Sequence, residues 1–192
     1  MRVYIFIGPP ASGKGTYGKL IGKLPGFKHL SMGQVFRSRR PRDEEEREEL
    51  ERVSSLTSEG NLAPDELTLR LFQEQIEQSI SSGEIRPEED TVILDGIPRT
   101  GFQAKVIREQ FQVLKSFFFI CDQDTIFRRI KRRSVVEGRA DDASIRVVEQ
   151  RLKIYNSELP GMKDALPSHT HCQIDTDRPS HHVMRDILAV MD

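Results

Sequence analysis

A glycine-rich segment, GPPASGKGT at positions 8–16, follows directly on the apolar run RVYIFIG at positions 2–8. A short strand that leads into such a segment, with a sequence able to form a helix after it, is typical of a phosphate-binding loop. Backbone N–H groups of the loop and of the helix N-terminus then surround an anion, and Lys14 adds a positive charge. A glycine-rich turn with an incidental lysine is the alternative. Because motif and context agree, the sequence favours the phosphate loop.

The segment departs at one position from the general phosphate-loop pattern G-x-x-x-x-G-K-S/T. Gly15 occupies the place of the hydroxyl residue that contacts magnesium in that pattern, and Thr16 comes one residue later. We therefore expect magnesium to depend on the oxygens of the bound phosphate ligand, on water and on a carboxylate elsewhere in the chain. We also expect the Thr16 side chain to turn toward the phosphates.

The remaining apolar runs predict an α/β fold. TVILDG at 91–96 and KSFFFICD at 115–122 are typical of buried strands, and HCQID at 171–175 is a weaker example. The segment 65–80 has the period of an amphipathic helix. Strands separated by helices indicate a parallel sheet that helices cover on both faces. A chain of 192 residues without internal repeats suits a single domain.

Two charged regions interrupt this alternation. We interpret residues 37–60 as helices of a solvent-exposed insertion, whose acidic run is a solvated face with Glu/Arg pairs. Residues 128–151 carry arginines around a turn that contains glycine. Arg129 and Arg133 are four residues apart and would share a helix face, whereas Arg139 lies across the turn. A single arginine is more often a surface residue, but a cluster of guanidinium groups next to a phosphate loop favours phosphate chemistry.

Asp95 ends the apolar run at 91–96, and Arg99 follows four residues later. A carboxylate at the carboxyl end of a strand beside a phosphate loop lies in the crevice where α/β sheets bind ligands, and it can hold magnesium through water. A helix cap or a turn is the alternative role for such an aspartate. The sequence shows no evident His/Asp or Ser/His pair for activating a hydroxyl group. An acceptor that is itself a phosphate needs no strong general base, because it is already an anionic nucleophile.

The charge balance limits the classes of partner. The chain has 29 lysines and arginines against 30 aspartates and glutamates, so no global field attracts nucleic acid or an anionic membrane. Cys121 and Cys172 lack the spacing of a metal site, and we expect reduced thiols in apolar surroundings. No apolar run approaches the ~20 residues that span a bilayer, and the first apolar run is too short for a signal peptide. The expected location is the cytoplasm.

Five motifs, in the right order, resemble those of the adenylate kinases, and more broadly of the nucleoside monophosphate kinases, over nearly the whole chain. They are GPPASGKGT at 8–16, HLSMGQVFR at 29–37, EGNLAPDE at 59–66, LDGIPRTGFQA at 94–104, and GRADD at 138–142 with RLKIY at 151–155. The resemblance implies the three-layer P-loop kinase fold, with a central parallel sheet of five strands. It also implies a monophosphate-binding insertion near 31–60 and a short lid near 132–142. This lid lacks the cysteines and the long insertion of zinc-bearing relatives, so we expect no structural metal.

The resemblance assigns residues to each of the two nucleotides. Those implied to bind ATP are Ala11, Ser12, Gly13, Lys14, Gly15, Thr16, Arg129, Arg133 and Arg178. Those implied to bind the monophosphate are Met32, Arg37, Asn61, Leu62, Ala63, Gly96, Ile97, Pro98, Arg99, Gln103, Arg139 and Arg151. Gln103 would contact the acceptor base, and Arg178 would lie by the ATP adenine through its backbone.

The resemblance also implies which residues act on the transferred phosphoryl group. They are Lys14, Arg99, Arg129, Arg133, Arg139 and Arg151. Asp95 would hold Mg²⁺ through water, and Asp141 and Asp142 would position lid arginines. Closure of the lid and the insertion would exclude water, which favours transfer to a nucleotide over hydrolysis of ATP.

The activity that the resemblance implies is reversible transfer of the γ-phosphoryl group of MgATP to AMP, giving two ADP, by a monomer. Met32 stands where adenylate kinases usually carry a threonine near the acceptor base, and Gln34 replaces the usual aspartate. Met32 keeps open a kinase whose acceptor is UMP or CMP. Gln103 argues for adenine, because its amide can both donate to and accept from the adenine edge. A catalytically weak nucleotide-binding regulator and a P-loop kinase for a non-nucleotide metabolite are further alternatives.

Overall fold

The computed structural model describes residues 1–137 and 144–191. The strands are β1 (Arg2–Ile7), β2 (Phe27–Ser31), β3 (Thr91–Asp95), β4 (Gln112–Ile120) and β5 (His171–Asp175). The helices are α1 (Lys14–Ile21), α2 (Met32–Ser38), α3 (Glu44–Ser58), α4 (Asp65–Ser81), α5 (Gly101–Gln110), α6 (Gln123–Glu137), α7 (Ile145–Ala165) and α8 (Ser180–Leu188), with a short 3-10 helix at Ser168–Thr170. Within these described ranges, no helix is both long enough and apolar enough to traverse a bilayer.

The five strands form one parallel sheet in the order β2-β3-β1-β4-β5. The predicted α/β fold and the five-stranded parallel sheet are therefore confirmed. The apolar runs predicted β1, β3, β4 and β5, but they did not reveal β2. Its sequence, FKHLS, has only two strongly apolar residues, and β2 lies at the edge of the sheet, where only Leu30 is fully buried. An edge strand needs fewer apolar residues, which is why the hydrophobic pattern missed it.

Side chains from both faces of the sheet are buried, and β1 shows this most clearly. Val3, Ile5 and Ile7 point into one hydrophobic cluster, whereas Tyr4 and Phe6 point into another. This alternation follows from the two-residue period of a strand. The first cluster includes side chains of α2, α4, α5 and α7, and the second includes side chains of α1 and α8. The sheet is thus the middle of three layers, as expected for parallel strands joined by helices.

The charged region at 37–60 contains α3, which lies in the segment between β2 and β3. Most of its acidic residues are solvated, as predicted, but Glu46 is 4% exposed. The Glu46 carboxylate accepts hydrogen bonds from Arg39 Nη2 at 2.6 Å and from the Arg42 backbone N–H at 2.7 Å. Arg39 also pairs with Glu74 of α4 at 2.6 Å. These ion pairs connect the start of α3 to α4.

Candidate functional site

The phosphate loop and Asp95 meet at the carboxyl edge of the sheet. The loop follows the last residue of β1, and Asp95 is the last residue of β3. In the strand register Asp95 is level with Phe6 of β1 on one side and Ser31 of β2 on the other. The parallel register therefore places this carboxylate beside the beginning of the loop, where α/β sheets bind their ligands.

Lys14, the first residue of α1, holds the loop together. Its ammonium group donates to the carbonyl oxygens of Gly8 at 2.6 Å and Pro9 at 2.7 Å, and to Ser12 Oγ at 3.2 Å. Gly13 precedes α1 with φ 99°, in the left-handed region that glycine adopts readily. The described residues provide no side-chain cap for the N-terminus of α1. Its first N–H groups are thus suited to an anionic ligand.

Several charged groups converge on Lys14. Burial lowers the pKa of Lys14 to about 8, the Asp95 carboxylate opposes this shift, and the positive charges of Arg99 and Arg133 add to it. Asp95, Arg99 and Arg133 therefore all lie near enough to Lys14 for their charges to change its pKa. The structure thus brings three of the predicted catalytic cations together with the predicted magnesium carboxylate. A concentration of positive charge of this kind suits a polyphosphate ligand.

Asp95 is 9% exposed and is surrounded by cations. Burial by itself raises the pKa of the Asp95 carboxyl, but the His29 side chain and the charges of Lys14 and Arg99 hold it below its usual value. The carboxylate is consequently ionised at neutral pH. Gly15 faces it directly, because a Cβ atom on Gly15 would lie 3.2 Å from Asp95 Oδ2.

His29, on β2, is a site residue that the sequence analysis did not identify as functional. Its Nε2 atom lies 3.5 Å from Asp95 Oδ2. The imidazole fits into a groove on α1, because a Cβ atom on Gly18 would lie 2.5 Å from His29 Cδ2, and one on Gly22 would lie 2.6 Å from His29 Cβ. Two glycines four residues apart on one helix face indicate such a close approach, and this signal was present in the sequence.

Two arginines assigned to the monophosphate lie beside the first turn of α2. Gly96 has φ 80°, and its carbonyl oxygen accepts a hydrogen bond from Arg99 Nε at 3.0 Å. A Cβ atom on Gly96 would lie 3.4 Å from Arg99 Nη2 and 3.8 Å from Met32 Cβ. Arg37 Nη1 lies 3.2 Å from the Cβ position of Gly33. Met32, the first residue of α2, is 1% exposed and packs into the first hydrophobic cluster.

The other residues assigned to the monophosphate lie on the connections that flank this region. Asn61, Leu62 and Ala63 connect α3 to α4, and Asn61 Oδ1 accepts a hydrogen bond from Gln150 Nε2 at 3.0 Å. Ile97 is fully buried and precedes Pro98 across a cis peptide bond. Gln103, in the first turn of α5, is buried and forms hydrogen bonds to the Arg99 backbone and to the Asp65 side chain.

Three further predicted residues make contacts within the protein. Arg129 donates to the carbonyl oxygen of Thr176, beyond β5, and Arg151 Nη2 donates to the carbonyl oxygen of Thr57 at 3.3 Å. The Arg178 guanidinium pairs with Asp186 in α8. The predicted roles of Arg139, Asp141 and Asp142 fall on residues outside the described part of the chain.

A family model described as "Adenylate kinase" matches residues 6–165 of this chain. The adenylate kinase of Thermus thermophilus is 33% identical over 162 residues, which cover 82% of this chain and 78% of that protein. UMP-CMP kinase 3 of Oryza sativa subsp. japonica is 29% identical over 193 residues, covering 99% of this chain and 85% of the relative. The adenylate kinase of a Cyanothece strain is 28% identical over 203 residues, covering 100% of this chain and 96% of the relative. The matched residues 6–165 thus include the phosphate loop, α2, α3 and Asp95.

Proposed function

The chain belongs to the adenylate kinase family, and we propose that it transfers the γ-phosphoryl group of MgATP reversibly to AMP, giving two molecules of ADP. It is a nucleoside monophosphate kinase. The observation that best supports the proposed reaction is that the charges of Arg99, Arg133 and Asp95 all act on Lys14 of the phosphate loop. A transferred phosphoryl group gains negative charge on its oxygens, and such a set of cations stabilises that charge.

We propose that the two nucleotides occupy opposite sides of Lys14. The phosphate loop from Ala11 to Thr16 would bind the ATP phosphates through its N–H groups and the Lys14 ammonium. Arg37 and Arg99, beside the first turn of α2, would bind the phosphate of the monophosphate. The acceptor oxygen is already anionic, so the reaction needs positioning and charge stabilisation more than a general base. Arg129, Arg139 and Arg151 remain predicted contributors to charge stabilisation.

The residues at the sheet edge fit a magnesium ion that arrives with ATP. Mg²⁺ prefers oxygen ligands, keeps several waters, and is commonly held by one or two carboxylates together with substrate phosphates. Asp95 supplies an ionised carboxylate beside the loop. In residues 1–137 and 144–191 no cluster of three or more His, Cys, Asp or Glu side chains could form an all-protein metal site. We propose that Asp95 holds Mg²⁺ through water and that the ion screens the ATP phosphates.

We propose that the acceptor base is adenine. Gln103 supports adenine, because an amide offers both a donor and an acceptor. A UMP- or CMP-type kinase is the second candidate, and the similarity to UMP-CMP kinase 3 over 99% of this chain favours it. Met32 is compatible with either, since it is an apolar side chain that offers no hydrogen bond to a base.

We further propose that residues near 31–60 and near 132–142 move on substrate binding as the monophosphate-binding part and the lid. Closure of both parts would exclude water from the transferred group. We propose a cytoplasmic monomer that binds ATP, AMP and ADP. We also propose that it binds no nucleic acid, which is supported by the near balance of 29 basic and 30 acidic residues.

A panel of nucleoside monophosphates assayed with ATP and magnesium tests the proposed function. We expect kcat/KM for AMP to exceed that for UMP, CMP, GMP and IMP. Higher kcat/KM with UMP or CMP establishes the second candidate instead. ATP binding without transfer to any monophosphate, in a protein shown to be folded, overturns the kinase assignment and favours a nucleotide-binding regulator.

A further inference from the structure

The side-chain amide of Gln103 is held in one orientation. Gln103 is 1% exposed, its Oε1 accepts a hydrogen bond from the Arg99 backbone N–H at 2.8 Å, and its Nε2 donates to Asp65 Oδ1 at 2.7 Å. A peptide N–H can only donate and a carboxylate can only accept, so neither partner tolerates the reversed amide. Turning the amide over would bring two donors together at Arg99 and two acceptors together at Asp65.

Asp65 is itself fixed on both of its oxygens. Its Oδ2 accepts a hydrogen bond from Thr100 Oγ1 at 3.0 Å, while Oδ1 holds Gln103. Thr100 Oγ1 in turn accepts from the Gln103 backbone N–H at 3.2 Å and so caps α5. The Asp65 carboxylate therefore joins the first residue of α4 to the first turn of α5, and it cannot rotate without breaking two hydrogen bonds.

We propose that Asp65 is a positioning residue that selects the acceptor base by locking the Gln103 amide. This inference rests on the proposed function, in which Gln103 contacts that base. An amide nitrogen has two N–H donors and an amide oxygen accepts two hydrogen bonds, so Gln103 retains one donor and one acceptor. Because the amide cannot turn over, these two groups are presented in a single order.

The single order matters because nucleobases come in two patterns. AMP and CMP have an amino group, which donates, next to an unprotonated ring nitrogen, which accepts. IMP, GMP and UMP have the reverse, a carbonyl oxygen next to a ring N–H. The arginines hold the phosphate of the monophosphate, so the base has a fixed position. The locked amide then forms two hydrogen bonds with a base of one pattern. A base of the other pattern brings donor against donor and acceptor against acceptor. A buried polar group left unpaired in this way strongly disfavours the wrong ligand.

Size cannot provide this discrimination. IMP has nearly the same shape as AMP and differs from it at the base edge, so an apolar neighbour such as Met32 contacts both equally. Comparing kcat/KM for AMP and IMP thus tests the arrangement of donor and acceptor on the base edge separately from the size and shape of the base.

Asp65→Asn is the test, because an asparagine can present either a donor or an acceptor to Gln103. The variant removes one of the two contacts that fix the amide, so that only the Arg99 backbone N–H still opposes the reversed orientation. With saturating MgATP, we expect the ratio of kcat/KM for AMP to kcat/KM for IMP to fall by roughly tenfold or more, the loss expected for one hydrogen bond to a charged group. KM for AMP should rise and KM for ATP should stay unchanged. Thermal unfolding checks that the variant is folded, and Asp65→Ser replaces it if it is not.

Two variants provide matched controls. Thr100→Val removes the α5 cap and the Oδ2 hydrogen bond but leaves both bonds to the Gln103 amide, so it should lower the thermal stability and keep the AMP:IMP ratio. Glu66→Gln removes an exposed charge next to Asp65 and should change neither the thermal stability nor the AMP:IMP ratio. If the AMP:IMP ratio of kcat/KM is unchanged in Asp65→Asn while stability falls as in Thr100→Val, the role of Asp65 is structural. That result overturns the inference but leaves the proposed function in place. A wild-type enzyme that prefers IMP, GMP or UMP to AMP overturns both the inference and the proposed acceptor.

Discussion

Gly15 and Asp95 face each other so closely that a Cβ atom on Gly15 would lie 3.2 Å from Asp95 Oδ2. This contact explains why the loop lacks the hydroxyl residue found in the general phosphate-loop pattern. A serine or threonine after Lys14 would place its Cβ atom against this carboxylate. We infer that Gly15 makes room for Asp95, and that the carboxylate takes over the part of magnesium binding that the hydroxyl group has in other loops.

Gly15→Ala should affect protein stability and magnesium-dependent activity in opposite directions, because it strengthens α1 but disturbs the contact with Asp95. Alanine in place of glycine within a helix favours folding by about 1 kcal/mol, so the melting temperature should rise or remain constant. The added Cβ atom displaces the Asp95 carboxylate by a few tenths of an ångström, so we expect a lower kcat and a higher half-saturating concentration of magnesium. The two are measured by thermal unfolding and by magnesium titration of the kinase reaction. Lys19→Ala, at an exposed position of α1, is the control and should leave the magnesium dependence unchanged.

The pKa of Lys14, lowered to about 8 chiefly by burial, predicts an alkaline limit to ATP binding. The ammonium form binds phosphate, so kcat/KM for ATP should decline as the pH rises through about 8. Bound ATP stabilises the charged form, so the decline in kcat should occur at higher pH. Between about pH 8 and 10.5 the unfolded chain binds more protons than the folded one, and this group makes the free energy of unfolding rise with pH.

Lys14 variants provide the control for the alkaline limit. Lys14→Arg keeps a positive charge over the whole range, so its activity, although lower, should show no decline near pH 8. Lys14→Ala should lose most of the phosphoryl transfer. The assignment is wrong if the alkaline decline persists unchanged in Lys14→Arg, because another group then causes it.

Much of the fold could be predicted from local patterns, whereas several site contacts could not. The runs that form β1, β3 and β4 are almost entirely apolar, and the phosphate loop is a contiguous motif, so a single stretch of sequence identifies each. Gly18 and Gly22 indicate a close approach to α1 but do not identify His29 as the partner, and the Asp65 contact to Gln103 joins segments that are distant in the chain. Glu46 shows the same limit, since it belongs to an acidic run that is otherwise solvated and differs from its neighbours only through tertiary contacts.

Glu46 predicts a distinct acid sensitivity of the segment between β2 and β3. Burial alone would raise its pKa, but hydrogen bonds from Arg42 and Arg39 lower it to about 2 from 4.5. A folded pKa below the unfolded value contributes stability that is present above pH 4.5 and is lost as the pH falls toward 2. Glu46→Gln should therefore be less stable than wild type in urea at pH 7, and the difference should shrink below pH 4. Glu45→Gln, at an exposed neighbouring position, should show no such difference.

The fit of His29 against α1 predicts that Gly18→Ala destabilises the protein, although alanine is the better helix former. A Cβ atom at 18 would lie 2.5 Å from His29 Cδ2, so the imidazole must leave its groove and its place beside Asp95. We expect a net loss of 1–3 kcal/mol, about the cost of overpacking a core. In the His29→Ala background the clash is absent, so Gly18→Ala should there be neutral or stabilising. Urea unfolding of the four proteins gives the coupling free energy. As a control, the effects of Lys19→Ala and His29→Ala on the free energy of unfolding should be additive. If the effects of Gly18→Ala and His29→Ala are also additive, the two residues are not in contact.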